Sequence, residues 1–294
     1  MKILILNAGS SSLKYQLIDM NGEKLLAKGL VERIGIEGSH ICQKVGDKVF
    51  DAVAPMKTHT EGIQWMLKGL TDPVKGAVRS MDEIGAVGHR VLHGGERFTA
   101  SVRINQDVKD AIRDNIPLGP LHNPANLMGI EACEKVMPTT PNVAVFDTAF
   151  HQTMPKKSYL YGVPMEYYKK LHVRRYGFHG TSHRYVSKRV CEFLGMDRAH
   201  TRVITCHLGN GSSLAAVFNG KCLDTSMGIT PLEGVLMGTR SGSLDPAVVQ
   251  YIANNEHMNV DEVLSLLNKK SGLLGISGIS SDMRDIDAAA DEGN

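Results

Sequence analysis

Polar side chains that suit phosphate binding lie in a loop near the start of the sequence. The stretch LILNAGSSSLKYQLID predicts a strand, a six-residue loop and a second strand. The loop's backbone N–H groups and the hydroxyls of Ser10 and Ser12 could surround phosphate oxygens. Asn7 adds a neutral oxygen suited to a hard cation, and Lys14 adds a positive charge. The alternative is an ordinary polar hairpin tip, and this loop alone does not decide between them.

A second loop of the same kind occurs in the later half of the chain. It lies in the stretch HLGNGSS and contains His207, Leu208, Gly209, Asn210 and Gly211. Each loop stands between two strand-like segments, and in both copies the second segment ends at an Asn-Gly pair. The recurrence favours phosphate binding. It also predicts two similar domains, residues 1–150 and 151–294, that face one another across a cleft.

Two arginines lie in glycine-rich stretches. Arg90 belongs to GHRVLHGG and Arg240 to MGTRSGS. Arginine binds carboxylate or phosphate with two parallel hydrogen bonds, and neighbouring glycines let a ligand approach closely. A surface charge or a structural ion pair is the alternative for each arginine. Together the two indicate anion binding.

Two histidines and an aspartate complete the candidate chemistry. His122 precedes an Asn-Pro helix start, and His179 precedes a Thr-Ser pair that could cap a helix, so both would lie at helix N-termini, which favour anions. A histidine bonded to local backbone is the alternative. His183, four residues after His179, would suit a metal pair, but a third ligand is missing from the pattern. Asp147 ends an apolar strand, where ligand crevices form in open α/β sheets.

The elements that position these residues are alternating helices and strands, which indicate an α/β fold. Apolar spacing predicts helices after Thr58, after His122 and after His179, with a short strand at 143–146. The third helix is expected to bury Val186 and Phe193. Near the end of the chain, SSDMRD places Asp282, Met283 and Arg284 at a further helix start. There Arg284 either pairs with neighbouring acids or stacks on a base.

Composition excludes several classes of protein. The chain has 294 residues, 42% of them hydrophobic, and a formal net charge of +2, which is too balanced to predict a nucleic-acid or membrane partner. The five cysteines are scattered without a Cys-x-x-Cys pair, so a reducing, cytoplasmic location is expected. The one basic cluster is expected to be a solvated face; it consists of Lys169, Lys170, Arg174 and Arg175.

The assembled motifs closely resemble those of the acetate kinase family, short-chain acyl kinases of the sugar kinase, Hsp70 and actin superfamily. The resemblance runs from Met1 to Asn294 and rests on LNAGSSSLKY, GHRVLHGG, HNPAN, VFDTAFH, RRYGFHGTSH, HLGNGSS, TPLEGVLMGTRSGSLDP and SSDMRD. It implies two actin-like (ribonuclease H-like) domains with a catalytic cleft between them, and the reaction ATP + acetate ⇌ ADP + acetyl phosphate. It also implies Mg²⁺, or Mn²⁺ in its place, and a homodimer.

The resemblance also implies roles for individual residues. Asn7 would hold the metal, Lys14 with Ser10 and Ser12 would contact ATP, and Arg90 would bind the substrate carboxylate. The phosphate segment would be His207, Leu208, Gly209, Asn210 and Gly211, and the base segment Asp282, Met283 and Arg284. The catalytic residues would be Arg90, Asp147, His179 and Arg240. The substrate pocket would contain Leu92, Leu121, His122, Phe178 and Pro231.

Charge suggests how such a reaction would proceed. Acetate is ionised at neutral pH, so its attack on the γ-phosphorus needs no general base. Asp147 is therefore expected to hold the metal through water or to orient an arginine, although the matching residue of the family is usually described as a proton donor or acceptor. Many members have valine where this sequence has Leu92, and the extra methylene should favour shorter acids.

Family members extend further than this chain, which lacks roughly a quarter of the usual length. We therefore expect an incomplete second domain with exposed apolar surface, and weak or no activity. Two other functions stay open at this stage. One is a propionate or butyrate kinase, and the other is a non-catalytic actin-like module that only binds nucleotide.

Overall fold

The computed structural model describes residues 1–120 and 122–294. The strands are β1 (Lys2–Ala8), β2 (Ser12–Asp19), β3 (Lys24–Glu32), β4 (His40–Val45), β5 (Lys48–Val53), β6 (Ile84–Val91), β7 (Val102–Arg103), β8 (Asn142–Phe146), β9 (Arg202–Leu208), β10 (Ser212–Phe218) and β11 (Lys221–Thr225). The helices are α1 (His59–Leu70), α2 (Gln106–Asp114), α3 (Asn123–Val136), α4 (Lys156–Tyr159), α5 (Met165–Leu171), α6 (Gly180–Leu194), α7 (Ala247–Glu256), α8 (Val260–Lys269), α9 (Gly272–Ser277) and α10 (Met283–Asp291). The chain divides into two compact units, Met1–Ala149 and Phe150–Asn294.

The first unit is built on an eight-stranded mixed sheet in the order β5-β4-β3-β2-β1-β6-β8-β7. Strand β1 pairs in parallel with β6, and β6 pairs in parallel with β8, whereas the remaining neighbours are antiparallel. Alternate residues of β1 and β2 point into the core, among them Leu4, Leu6 and Leu13. Helix α1 packs its predicted stripe onto the same core. The parallel strands therefore end at one edge, where Arg90 and Asp147 lie.

The second unit contains a three-stranded antiparallel sheet in the order β11-β10-β9. Its β9–β10–β11 meander repeats the β1–β2–β3 meander of the first unit. The second turn of each meander lies at an Asn-Gly pair, and in the later copy Asn219 and Gly220 both have positive φ, as a two-residue type I′ turn requires. The internal repeat predicted from the sequence is confirmed for these strands.

The loop of the first meander is shorter than the six residues predicted. Hydrogen-bonded pairing continues to Ala8 on one side and from Ser12 on the other, so only Gly9 to Ser11 remain unpaired by the sheet. The N–H of Gly9 donates to the carbonyl of Ser12 over 2.8 Å, which closes the turn tightly. Backbone hydrogen bonding between the strands therefore includes residues whose polar side chains had suggested a loop.

Helix α6 buries a different face from the one predicted. Its buried residues include His183, Ser187 and Cys191, whereas Val186 is exposed and Phe193 is 85% exposed. The buried stripe contacts β9 through polar side chains, which hydrophobic periodicity does not detect. Strand β9 likewise exposes Ile204 and Leu208. Among the described residues, no helix is both long and apolar enough to cross a membrane.

Candidate functional site

Arg90 and Asp147 form a fixed ion pair at the edge where the parallel strands of the first unit end. The Arg90 Nε donates to Asp147 Oδ1 over 3.0 Å, and its Nη2 donates to Oδ2 over 2.7 Å. The side chain of Asp147 is only 3% exposed, whereas that of Arg90 is 39% exposed. The facing carboxylate raises the pKa of Arg90, so the guanidinium is held charged and in one orientation. The sequence predicted Asp147 at the end of a strand and Arg90 in a glycine-rich stretch; the structure shows that their strands, β6 and β8, are paired neighbours.

Two buried asparagines hold the chain segment that follows Arg90. The Oδ1 of Asn126 accepts from the Leu92 N–H, and its Nδ2 donates to the Ala8 carbonyl. The Oδ1 of Asn123 accepts from the His93 N–H, and its Nδ2 donates to the His93 carbonyl. The sequence predicted a helix start at the Asn-Pro pair, and helix α3 does begin at Asn123, with His122 at the cap position. The repeated amides in HNPAN were the available signal for this clamp.

Leu92 belongs to the segment that the two asparagines hold, and His122 directly precedes Asn123. Leu92 is 4% exposed and directly follows the strand that carries Arg90, so a buried apolar side chain lies next to that strand's end. His122 occupies the N-cap position of α3 and donates its N–H to the Gly119 carbonyl over 3.1 Å. Leu121, which the sequence assigned to the same pocket, lies outside the described residues.

The predicted phosphate loop of the first unit is divided between two surfaces. Asn7 and Lys14 are register partners on the sheet face opposite the core and line a depression of about 480 Å³. Ser10 lines a different depression beside α1, together with His59. The Nε2 of His59 donates to the Gly9 carbonyl over 2.7 Å, an anchor that sequence reasoning missed. Since the Gly9 N–H is used within the turn, the loop offers fewer amides to a phosphate than predicted.

Donor chemistry limits what kind of metal site the chain can form. The described residues contain no cluster of three or more His, Cys, Asp or Glu side chains that could hold a metal ion. Both carboxylate oxygens of Asp147 already accept from Arg90. Asn7 offers a single neutral amide oxygen at the end of β1. This donor set fits a Mg²⁺ ion that is coordinated mainly by nucleotide phosphates and water. It does not fit a metal ion that is coordinated mainly by protein side chains.

In the second unit, His179, His207, Gly211 and Arg240 lie together. The rings of His179 and His207 stack with centroids 4.0 Å apart. A Cβ placed on Gly211 would lie 3.0 Å from Arg240 Nη1 and 3.5 Å from His179 Nε2. Glycine at this position therefore lets the loop approach both donors. The structure thus joins the HLGNGSS loop, one predicted histidine and one predicted arginine.

His179 itself occupies an unusual backbone conformation. It is the N-cap residue of α6 with φ of 58°, so the helix begins at Gly180, earlier than the predicted Thr-Ser cap would allow. Its Nδ1 lies 2.8 Å from Ser213 Oγ. A metal pair of His179 and His183, which the sequence already disfavoured for lack of a third ligand, is not formed, because both ring nitrogens of His183 bond to hydroxyl groups, those of Thr205 and Ser213.

The loop that carries Pro231 is held by a network that sequence reasoning missed. Arg240 donates to the Pro231 carbonyl over 3.2 Å. The carboxylate of Glu233 accepts from Arg175 Nη2 and from the Tyr161 hydroxyl, and that hydroxyl in turn accepts the Ile229 N–H. The prediction that Arg175 belongs to a solvated basic face is wrong, because its guanidinium bonds to the distant Asp224 and Glu233.

Arg174 also departs from the predicted solvated face. Its side chain is buried, with the guanidinium carbon 3.7 Å from the centre of the Tyr159 ring. Lys169 and Lys170 remain exposed. Phe178, which precedes His179, is 1% exposed, and its carbonyl accepts from His151 Nε2.

The predicted nucleotide segments meet at Gly238. A Cβ on Gly238 would lie 2.2 Å from Asn210 Oδ1 and 3.2 Å from the Ser281 carbonyl. Asp282 caps α10, and Arg284 folds back onto its carboxylate. These hydrogen bonds from Arg284 lower the pKa of Asp282 to about 2. Arg284 is therefore an exposed ion-pair partner of Asp282, as one of the two alternatives from the sequence proposed.

Comparison with known proteins identifies the family. Residues 2–294 match the Acetokinase family. The chain belongs to the acetokinase family. It is 62% identical to an acetate kinase of Treponema denticola and 58% identical to one of Agathobacter rectalis, in each case over the whole of this chain and 74% of the relative.

Solved structures agree with this membership. The acetate kinase of Porphyromonas gingivalis superposes with a TM-score of 0.96 at 50% identity, and a propionate kinase of Francisella tularensis with a TM-score of 0.93 at 43% identity. Each comparison covers all of this chain and 74% of the solved chain. The predicted fold class, α/β of the actin-like type, is confirmed for this acetokinase.

Proposed function

We propose that this acetokinase transfers the γ-phosphoryl group of ATP reversibly to acetate, giving acetyl phosphate and ADP. The observation that carries the proposal is the Arg90–Asp147 pair next to buried Leu92. A fixed guanidinium beside an apolar side chain suits a carboxylate that carries a short alkyl group. The names of the relatives described above support the same substrate class.

The charges on the two reactants define what the protein must supply. Acetate is already ionised, so no residue has to remove a proton from it. Asp147 binds Arg90 through both oxygens, which supports an orienting role and argues against a general base. The remaining barrier is repulsion between a carboxylate and a polyphosphate during in-line attack.

Arg90 on the first unit and Arg240 with His179 on the second are the groups we assign to this barrier. Arg90 would bind the acceptor carboxylate, while Arg240 and His179 would donate to the phosphoryl group in transfer. Lys14, Ser10, Ser12 and the segment from His207 to Gly211 would contact ATP, with Asp282, Met283 and Arg284 near the base. Leu92, Leu121, His122, Phe178 and Pro231 would form the acyl pocket. When bound, Mg²⁺ or Mn²⁺ would neutralise phosphate charge, with Asn7 as its protein contact.

Trapping of the product with hydroxylamine tests the proposal. ATP and acetate should yield acetohydroxamate, with lower rates for propionate and butyrate because Leu92 shortens the pocket. A faster rate with propionate would favour the alternative of a propionate kinase, which the Francisella relative also suggests. Nucleotide binding without any hydroxamate would favour a non-catalytic actin-like module. The predicted homodimer and cytoplasmic location stay predictions, as does the cleft between two domains.

A further inference from the structure

A chain of buried hydrogen bonds runs from β9 to His179. Thr205 Oγ1 lies 2.7 Å from His183 Nδ1, and His183 Nε2 lies 2.7 Å from Ser213 Oγ. Ser213 Oγ in turn lies 2.8 Å from His179 Nδ1. Thr205, His183 and Ser213 are each at most 4% exposed. We call these three residues and His179 the histidine relay.

The protonation state of His183 restricts the direction of these bonds. Burial, followed by the neighbouring histidines, lowers the pKa of His183 to about 3. A neutral imidazole has one N–H and one acceptor nitrogen. One of its two hydroxyl partners must therefore donate to it, and the other must accept from it.

Counting hydrogens selects one of the two directions. If Thr205 donates to His183 Nδ1, then His183 Nε2–H donates to Ser213 and Ser213 donates to His179 Nδ1. In the opposite direction His183 donates to Thr205, whose own hydrogen then needs another acceptor. Within residues 1–120 and 122–294, the only hydrogen-bond partner of the Thr205 hydroxyl is His183. The opposite direction would leave a buried donor unpaired, which is costly.

We propose that Thr205, His183 and Ser213 are positioning residues that keep the hydrogen of His179 on Nε2, the nitrogen beside Gly211 and Arg240. His179 then acts as a neutral N–H donor. Protonating its Nδ1 would force Ser213 to accept from His179. One buried hydroxyl hydrogen would then lose its acceptor: that of Thr205 if every bond reverses, or that of Ser213 if His183 still donates to it. The assignment of this donor to phosphoryl transfer rests on the proposed function, whereas the tautomer itself does not.

Other polar groups near His179 are consistent with this direction. His207 stacks on the ring, and its own Nδ1 bonds to Ser182 Oγ at 2.9 Å. Arg240 lies beside the Nε2 edge, where its positive charge disfavours a second positive charge on the imidazole. His151 contacts the ring of His183 and, in the same way, disfavours a positive charge on His183, which lowers its pKa.

Imidazole ¹⁵N spectra of the substrate-free protein test the proposal. His179 is assigned by the loss of its signals in His179→Gln. We expect wild-type His179 and His183 both to carry hydrogen on Nε2 at neutral pH. In Thr205→Val the penalty for reversing the relay is absent, so His179 should gain its second proton at a pH about one unit higher.

Two further variants control for structural effects. Thr205→Ser keeps the donor and should titrate as wild type. Thr201→Val removes another buried hydroxyl, which bonds to the Arg198 carbonyl outside the relay, and should also leave His179 unchanged. A wild-type His179 with its hydrogen on Nδ1 would overturn the proposal without any variant, as would a Thr205→Val protein in which His179 titrates as in wild type. If the tautomer is as expected but no acyl phosphate forms, only the proposed function fails.

Discussion

Asp147→Asn distinguishes an orienting aspartate from one that transfers a proton. Asparagine keeps the size of the side chain and one oxygen acceptor, but it places an NH₂ group toward the Arg90 guanidinium. If Asp147 only orients Arg90, replacing Asp147 should lower activity only when Arg90 is present. If Asp147 accepts a proton from the substrate, replacing it should lower activity whether or not Arg90 is present.

The magnitude follows from the geometry of the pair. Two charge-assisted hydrogen bonds of 3.0 and 2.7 Å are replaced by at most one neutral bond. A hydrogen bond to a charged group contributes roughly 1.5–3 kcal/mol. Because Arg90 is 39% exposed, water replaces part of the lost interaction, so we take that range for the whole pair. The kcat/KM for acetate should therefore fall about 10- to 100-fold.

The assay is hydroxamate formation by wild type, Asp147→Asn, Arg90→Ala and the double variant, each expressed as a ratio to wild type. The double variant should be no worse than Arg90→Ala. Asp110→Asn is the matched control, since Asp110 pairs with Arg113 on an exposed surface, and it should leave the ratio unchanged. Additive losses within about 0.5 kcal/mol would refute the orienting role, because uncoupled residues behave in that way.

Four further predictions concern Arg240, Glu233, Leu92 and the buried His89. Arg240→Ala should lower kcat about 100- to 1,000-fold while the Kd for ATP changes little, because its donor acts on the transferring group; a kcat near wild type would contradict this. Glu233→Gln should lower the free energy of unfolding by about 1–3 kcal/mol, measured by urea titration, and should raise the KM for acetate through the Pro231 loop. Leu92→Val should raise the propionate-to-acetate ratio of kcat/KM by up to about tenfold, and an unchanged ratio would remove this residue from the pocket. Burial lowers the pKa of His89 to about 4, below its unfolded value of 6.5, so the unfolded state binds more protons in that interval. The contribution of His89 to stability should fall by about 2 kcal/mol between pH 6.5 and 5, and His89→Gln should flatten that part of the urea profile.

Much of the fold could be predicted because its signals are local. The apolar run of β1, the apolar alternation of β2, the stripe of α1 and the Asn-Gly turns all concern residues close in sequence. The α/β class and the repeated meander followed from these. The loop after β1 was predicted too long, because backbone pairing between strands overrides the composition of the residues it includes.

The candidate site could be predicted only in part. Residue types and local positions identified the candidates: Arg90 and Arg240 lie in glycine-rich stretches, Asp147 ends an apolar strand, and His179 precedes a helix start. The supporting contacts were missed, including the Asn126 clamp, because each joins segments separated by tens of residues and leaves no periodic pattern.

The sequence by itself determined which chemical groups this chain has, because these are the side chains themselves. It also determined most of the order of strands and helices, because that order depends on the local spacing of apolar residues. Tertiary structure decided which groups act on one another. Only the parallel pairing of β6 with β8 brings Asp147 against Arg90, and only the packing of α6 on β9 brings His183 to Thr205. Hydrogen bonds act over about 3 Å, so the direction and charge of each donor depend on neighbours that chain order does not specify.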